Sequence, residues 1–372
     1  MNAKTPGGVY VHFPFCRHRC FYCDFNLITP KLIPERRYTD ALLSELQMRA
    51  PHHGPPARSL YFGGGTPSLW NEAMLGEVIA AVRGAIGLES GAEVTLEANP
   101  SDITGPRCKS WLKVGINRLS IGLQSFDSRI LRDIDRQHDG DASIQAIRLA
   151  KSSGFSDLSI DLMFGLPGQN EAAWRQELET ALEFDVPHIS IYGLTVEERT
   201  PLRRLVGEGA VVLPSDDTSA AMFFAAHDTL EAAGYSHYEV SAYARGGAQA
   251  VHNSGYWNWR PYLGLGAGAH GFDGETRREN IRRVKTYMDH AVQGKLPTGK
   301  EERPPQDALA FEKLMVGLRR LKAGVELHGL LERFGPKAEE LIGRGWLEKE
   351  GAAIRVTREG LRWMNEVLAE FV

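Results

Sequence analysis

Three of the four cysteines in this chain fall within eight positions: Cys16, Cys20 and Cys23, in VHFPFCRHRCFYCDFN at 11–26. Thiolates are soft ligands that suit zinc or an iron–sulfur cluster. A C-x3-C-x2-C run on one loop lets all three face a common centre. Structural zinc asks for four protein ligands in a closed tetrahedron, which His12 or His18 would have to complete. A cubane held by three cysteines instead leaves one iron open to an outside ligand. Zinc sites usually pair two C-x2-C units, so the spacing favours the open cluster. The fourth cysteine, Cys108 in PRCKSWLKVG, reads as a small buried hydrophobe with no role in that chemistry.

A loop of ligands needs a scaffold, and the first half of the chain supplies one. Short apolar runs at 8–14, 59–65, 92–98, 117–124, 158–165 and 188–194 alternate with amphipathic stretches such as 36–50, 71–86 and 170–184. Nearly continuous apolar runs fit parallel strands buried on both faces. Six such units predict an α/β fold with an open, partial (β/α)6 TIM-type barrel. Polar or glycine-rich groups follow these strands. Cys16 comes after the first and GGGTP (63–67) after the second. Glu97 and Asn99 end the third, Gln124 ends the fourth, and Asp161 lies within the fifth. Barrels of this kind build their sites at the carboxyl ends of the strands, so these segments are expected to share one mouth.

At 372 residues the chain predicts a large domain with smaller additions. Residues 1–240 read as the βα core, 241–300 as an aromatic and glycine-rich connection, and 301–372 as a winged-helix-like module. Within that module, helices are expected over 308–322, 326–335 and 337–345, then a hairpin at 346–357 and a last helix at 359–372. Composition is 42% hydrophobic and 24% charged, with a net charge of −4. No global basic field draws the chain to nucleic acid, and the tail carries no basic stripe. Residues 1–10 lack the apolar core of a secretory signal, and no apolar run reaches membrane-spanning length. The expectation is a cytoplasmic protein with no nucleic-acid partner. Asp216 and Asp217 read as helix capping residues, not as a catalytic pair.

The cysteine spacing after a first barrel strand resembles the radical S-adenosylmethionine superfamily, and GGGTP is similar to that family's glycine motif. The resemblance implies a [4Fe–4S] cluster on Cys16, Cys20 and Cys23, with S-adenosylmethionine chelating the fourth iron and cleaved to a 5′-deoxyadenosyl radical on reduction. YVHFPFC, GGGTPS, EANP, GLQSF, IDLMFGLPGQ and YLGLGAGAH resemble, in order, the motifs of the oxygen-independent coproporphyrinogen III oxidase branch. Carried across by position, Tyr10, Gly64, Gly65, Thr66 and Glu97 match residues that contact the cofactor. Tyr22, Gln124, Arg136 and Asp161 match contacts to a second adenosylmethionine. Without the resemblance, Gln124 and Asp161 would read as strand-end hydrogen bonders and Arg136 as one half of a surface ion pair.

Two features depart from the oxidases. Their motif continues to a further cysteine where this chain has Phe25, and they carry a long segment before the cysteines. Both departures resemble the HemW-type heme chaperones of the same branch. HNSGYW at 252–257 is similar to the H-N-x-x-Y-W motif of that group. It implies heme contact through His252, Asn253, Tyr256 and Trp257, with His252 as candidate axial ligand and His237 and His270 as alternatives. Trp259 adds aromatic surface. The implied activity is to carry heme to acceptor proteins, such as membrane-associated respiratory proteins, with a flavodoxin or ferredoxin as electron donor. Whether adenosylmethionine is turned over stays open, and the alternative is an oxidase that decarboxylates porphyrinogen propionates.

Overall fold

The computed structural model describes residues 7–52, 56–326 and 330–372. Residues 1–6, part of the stretch read above for a signal, and 327–329, within the helix expected over 326–335, lie outside the described residues. Six strands lie parallel and in sequence order: β1 (Gly8–Phe13), β2 (Ala57–Gly64), β3 (Leu88–Ala98), β4 (Arg118–Gln124), β5 (Asp157–Phe164) and β6 (His188–Gly193). Each coincides with one of the apolar runs. Helices between them cover the outer face, several opened by side-chain caps: Asn71, Asp139 and Asn170 each accept backbone N–H bonds of the first turn. The core between strands and helices includes Trp70, Trp111 and Trp174, all fully buried.

Past β6 the sheet continues with β7 (Ser236–Glu239) and β8 (Ala242–Ala244), where β8 runs antiparallel to β6. On the other side, β9 (Tyr262–Leu265) lies parallel to β1, followed by antiparallel β10 (His270–Phe272), β11 (Arg277–Asn280) and β12 (Thr298–Glu302). The result is one twelve-stranded sheet with β12 and β7 at its edges. It does not close into a ring, as expected of a partial barrel. The sequence reading did not anticipate β9, a seventh parallel strand placed beside the first. The main sheet runs on through both 240/241 and 300/301.

The tail has its own apolar core, built on Leu314, Phe334, Leu341, Leu347, Ile354 and Val367. Its strands β13 (Val325–Glu326), β14 (Leu347–Glu350) and β15 (Ala353–Val356) form a separate antiparallel sheet. Two expectations there are corrected. The second and third helices are not separate: one helix spans Leu331–Gly343 with Pro336 inside it. Burial of Phe334, Ala338 and Leu341 on one face outweighs the hydrogen bond that proline removes. The last helix breaks at Trp363 into Arg358–Arg362 and Met364–Ala369. The tail docks on β7 through backbone bonds from Val240 to Arg319 (3.2 Å) and from Leu321 to Tyr238 (3.0 Å).

Candidate functional site

The carboxyl ends of β1–β6 surround a cavity of about 450 Å³. The cysteine loop closes one side. Its base is stapled where Cys16 N donates to Ile28 O (3.0 Å) and Ile28 N to Pro14 O (2.8 Å), and a turn brings Cys23 N to Cys20 O (3.1 Å). Cys16, Cys20 and Cys23 all line the cavity. The Cys16 sulfur lies 3.1 Å from the Thr66 hydroxyl, and burial pushes its thiol up to about 11. Burial raises Cys23 as well. Both therefore stay protonated until a metal displaces the proton.

The zinc alternative does not fit this geometry. Among the described residues, no three His, Cys, Asp or Glu side chains converge on a single ion. His12 is buried, with Nδ1 3.0 Å from the Tyr10 hydroxyl and Nε2 2.8 Å from Asn26 O. His18 Nε2 pairs with Asp135 at 2.7 Å. His12 thus has both nitrogens engaged, and His18 is held to Asp135 instead of to the sulfurs. A multi-iron cluster spreads its thiolate ligands more widely than one ion does, and three soft sulfurs around a recess suit it.

Behind the loop, the glycines after β2 serve the backbone first. A side chain on Gly65 would sit 2.7 Å from Phe15 O, and Gly64 has φ +115° with His12 against it. The amides here are already committed: Gly64 N to Glu97 Oε2 (3.1 Å), Gly65 N to Phe13 O (2.8 Å) and Thr66 N to Phe15 O (2.9 Å). A ligand ammonium group only donates, so in this turn it would be met by carbonyls and not by amides. Glu97 also accepts from the Tyr61 hydroxyl at 2.8 Å, and burial raises its carboxyl to about 7.

Across the cavity, Asp161 accepts from Ser120 Oγ at 3.1 Å, and burial raises its pKa. Arg136 is not a surface ion-pair partner. Its Nη2 donates to Asn99 Oδ1 (2.9 Å) and Gly122 O (2.7 Å), its Nη1 lies 3.9 Å from the Cys20 sulfur, and its buried Nε has no partner. A buried guanidinium donor left open beside a cavity is an anion-binding feature, fitted to a carboxylate or to a negatively charged cluster. Gln124 adopts φ 69° where β4 bulges against β5. That left-handed backbone is costly for a non-glycine residue and turns the strand end inward.

Eleven of the twelve expected cluster and cofactor residues thus reach one cavity: Cys16, Cys20, Cys23, Tyr22, Gly64, Gly65, Thr66, Glu97, Gln124, Arg136 and Asp161. Tyr10 does not line it. It lies behind the cavity floor, stacked on Tyr61 (6.1 Å) and bonded to His12. Asn99, expected at the mouth as a strand-end group, bridges Arg136 and Thr66, whereas Ser120, His138 and Tyr192 in the lining were not anticipated. Ser120 reaches the cavity because β4 pairs with the strand that carries Asp161, a cross-strand contact that the local sequence does not show.

The histidine of HNSGYW lies inside the fold. It opens a helix, Val251–Trp257, yet His252 is only 3% exposed. Its Nδ1 lies 2.8 Å from Ser59 Oγ and its Nε2 2.8 Å from the Tyr256 hydroxyl, and its ring stacks on Tyr61 at 4.9 Å. Burial holds the imidazole neutral, with its pKa pulled down to about 3. With both nitrogens engaged and the ring covered by Tyr61, His252 would have to leave these partners to ligate a porphyrin iron. Of the alternatives, His237 is buried between His227 and Val240 O, whereas His270 is exposed. Asn253, Tyr256 and Trp257 are half-buried, and Trp257 joins Trp259 in a second cavity of about 370 Å³ against the tail.

Comparison with known proteins places this arrangement. The family model of the radical SAM superfamily matches residues 10–181. The heme chaperone HemW of Bacillus subtilis is 33% identical over 98% of this chain and 99% of its own length. The chain belongs to the radical S-adenosylmethionine superfamily, in the HemW family. HemW of Escherichia coli is 34% identical with both chains fully covered, and HemW of Mycobacterium tuberculosis is 36% identical over 95% of this chain and 92% of its own. Among solved structures, the coproporphyrinogen III oxidase HemN of Escherichia coli superposes with a TM-score of 0.84 at 21% identity, covering 99% of this chain and 90% of that one. That likeness concerns the fold. Membership in the superfamily implies a [4Fe–4S] cluster and S-adenosylmethionine as its cofactors. Among the described residues, no helix is long and apolar enough to cross a membrane.

Proposed function

We propose that this protein is a heme chaperone, holding a [4Fe–4S] cluster and S-adenosylmethionine in the strand-end cavity and passing heme to acceptor proteins in the cytoplasm or at the membrane surface. The observation that carries the reading is the full-length similarity to HemW together with a three-thiol loop in which Phe25, 60% exposed, stands two residues after the last cysteine. When bound, the cluster and cofactor supply one-electron chemistry, with a flavodoxin or ferredoxin as the class of reductant.

The residues of this chain divide the remaining work. Cys16, Cys20 and Cys23 hold three irons. The carbonyls at Gly64 and Gly65 and the Glu97 carboxylate take the cofactor's ammonium, while Thr66 and Asn99 order the turn beneath it. Arg136 offers its open Nε to a carboxylate and lowers the charge beside Cys20. Tyr22, Gln124 and Asp161 line the part of the cavity that takes the remainder of the cofactor or a second one. Heme contact is assigned to the half-buried Asn253, Tyr256 and Trp257, with Trp259 beside them, and His252 supports them from within.

The test is an anaerobic hemin titration of cluster-reconstituted protein, read by the heme absorption band, with coproporphyrinogen III turnover assayed in parallel. Saturable binding that weakens in Trp257→Ala, without porphyrinogen turnover, supports the carrier. Turnover without saturable heme binding would replace it with the oxidase reading.

A further inference from the structure

The cavity and the HNSGYW helix are joined by two side-chain paths that start at the cofactor-facing carboxylates Glu97 and Asp161 and run through residues given no cofactor contact above. The first starts at Glu97, which accepts from the Tyr61 hydroxyl (2.8 Å). The Tyr61 ring lies on His252 with 23° between the planes. His252 in turn reaches the Ser59 and Tyr256 hydroxyls. The second path starts at Asp161, 3.4 Å from the Ser159 hydroxyl, which lies 2.8 Å from His188 Nδ1. His188 Nε2 meets the Tyr238 hydroxyl at 2.9 Å, and that oxygen accepts from Ala250 N at 3.2 Å.

The donors run in one consistent direction: Ala250 N–H to Tyr238, Tyr238 to His188, His188 Nδ1–H to Ser159, Ser159 to Asp161. Both paths end at residues 250–252, where the helix begins. A third anchor fixes the same turn, since Glu93 accepts from Val251 N (2.7 Å) and His252 N (3.0 Å). Glu93 and Glu97 lie on the same strand, β3, and Glu93 faces the buried Arg118 at 3.5 Å. His188 is buried and neutral, its pKa lowered by burial.

We infer that His252 and His188 are positioning residues that hold the cavity carboxylates Glu97 and Asp161 and tie occupancy of the cavity to the pose of the Val251–Trp257 helix. Neither histidine touches the cavity or solvent. Buried polar groups in a hydrogen-bonded chain such as the second path are coupled, because breaking one link strands its neighbours without partners, and the first path is joined by the Tyr61–His252 ring stack. A ligand that reorders Glu97 or Asp161 therefore acts on the first turn of the helix that carries Tyr256 and Trp257. By linkage, whatever binds that helix alters affinity in the cavity by the same factor. The inference rests on the cofactor reading above for the identity of the cavity's ligand.

The test uses cluster-reconstituted, full-length protein and S-adenosylmethionine, with affinity measured by calorimetry and backbone hydrogen exchange followed over residues 250–259. The wild type is expected to bind, with exchange at 250–257 changing on binding. Tyr61→Phe keeps the stack on His252 but removes the hydroxyl to Glu97. His252→Phe keeps an aromatic ring, somewhat larger, at this place but loses both hydroxyl contacts. Each should weaken cofactor binding by about tenfold, as loss of a supporting partner does, and should abolish the exchange response, while Asn258→Ala on the same helix end changes neither. If His252→Phe does not fold, Tyr61→Phe alone decides. Normal binding in wild type and variants without any response at 250–257 would overturn the inference and leave the cofactor reading intact. A wild type that binds no S-adenosylmethionine at all would instead sink the cofactor reading.

Discussion

Two polar regions lie back to back across β2 and β3, and they differ in what they leave unfinished. At the strand ends, capacity is open: three thiols met only by Thr66, Arg136 and the backbone at Phe25, a guanidinium Nε without an acceptor, and a carboxyl that burial raises to about 7. Around His252 every nitrogen and hydroxyl of the group is answered by another side chain or by backbone. A site built to take a ligand keeps unsatisfied donors, whereas a site built to hold shape satisfies them. The difference teaches that residues of one resemblance can serve opposite ends: the cysteine motif faces outward to chemistry, the histidine of HNSGYW inward to structure.

The comparison breaks most sharply at the sulfurs. Alanine at Cys16, Cys20 or Cys23 should each abolish the iron–sulfur absorption band after anaerobic reconstitution, while Cys108→Ala, buried in a helix, keeps it. Next in size is Glu97→Gln. Loss of a charged partner costs roughly 1.5–3 kcal/mol, so calorimetry should show cofactor affinity falling by about ten- to a hundredfold. In the wild type, affinity for the cofactor's ammonium should fall as pH drops through about 7, where the carboxyl gains its proton, and Glu97→Gln should flatten that profile. The same titration in Glu97→Gln remaining pH-dependent would move the responsible group elsewhere.

How much of this was readable beforehand follows from what each residue answers to. The six parallel strands were legible because strands buried on both faces need unbroken apolar runs, as in LSIDLMF. The cysteine loop was legible because its partners are only three and four residues apart. Polar side chains inside strands were not. Ser59, His188 and Glu93 meet partners tens to nearly two hundred residues away, and no local period carries that information. The burial of His252 was hidden for the same reason: a histidine beside tyrosine and tryptophan looks like aromatic surface until β2 brings Ser59 and Tyr61 against it. The helix through Pro336 was hidden because tertiary burial overrode a strong local breaker.

Smaller effects sharpen the contrast between packed and open positions around the same loop. Gly65→Ala forces a methyl group to within 2.7 Å of Phe15 O, and denaturant unfolding should report a loss of about 1–3 kcal/mol. Phe25→Ala, at an exposed ring on the cavity rim, should change stability by no more than about 0.5 kcal/mol and keep the cluster band. A large stability loss at Phe25 would mean that the ring is packed against something in the folded protein that its exposure does not show.

The most direct measurement of the central claim is electron paramagnetic resonance of the reduced, reconstituted protein with and without S-adenosylmethionine. A cluster with one iron free of protein ligands, set in the cavity beside Glu97 and Arg136, should change its signal on addition of the cofactor, and the change should be lost in Glu97→Gln at the same concentration. An unchanged signal at saturating cofactor would contradict the account, because the open iron and the strand-end cavity would then not form one site.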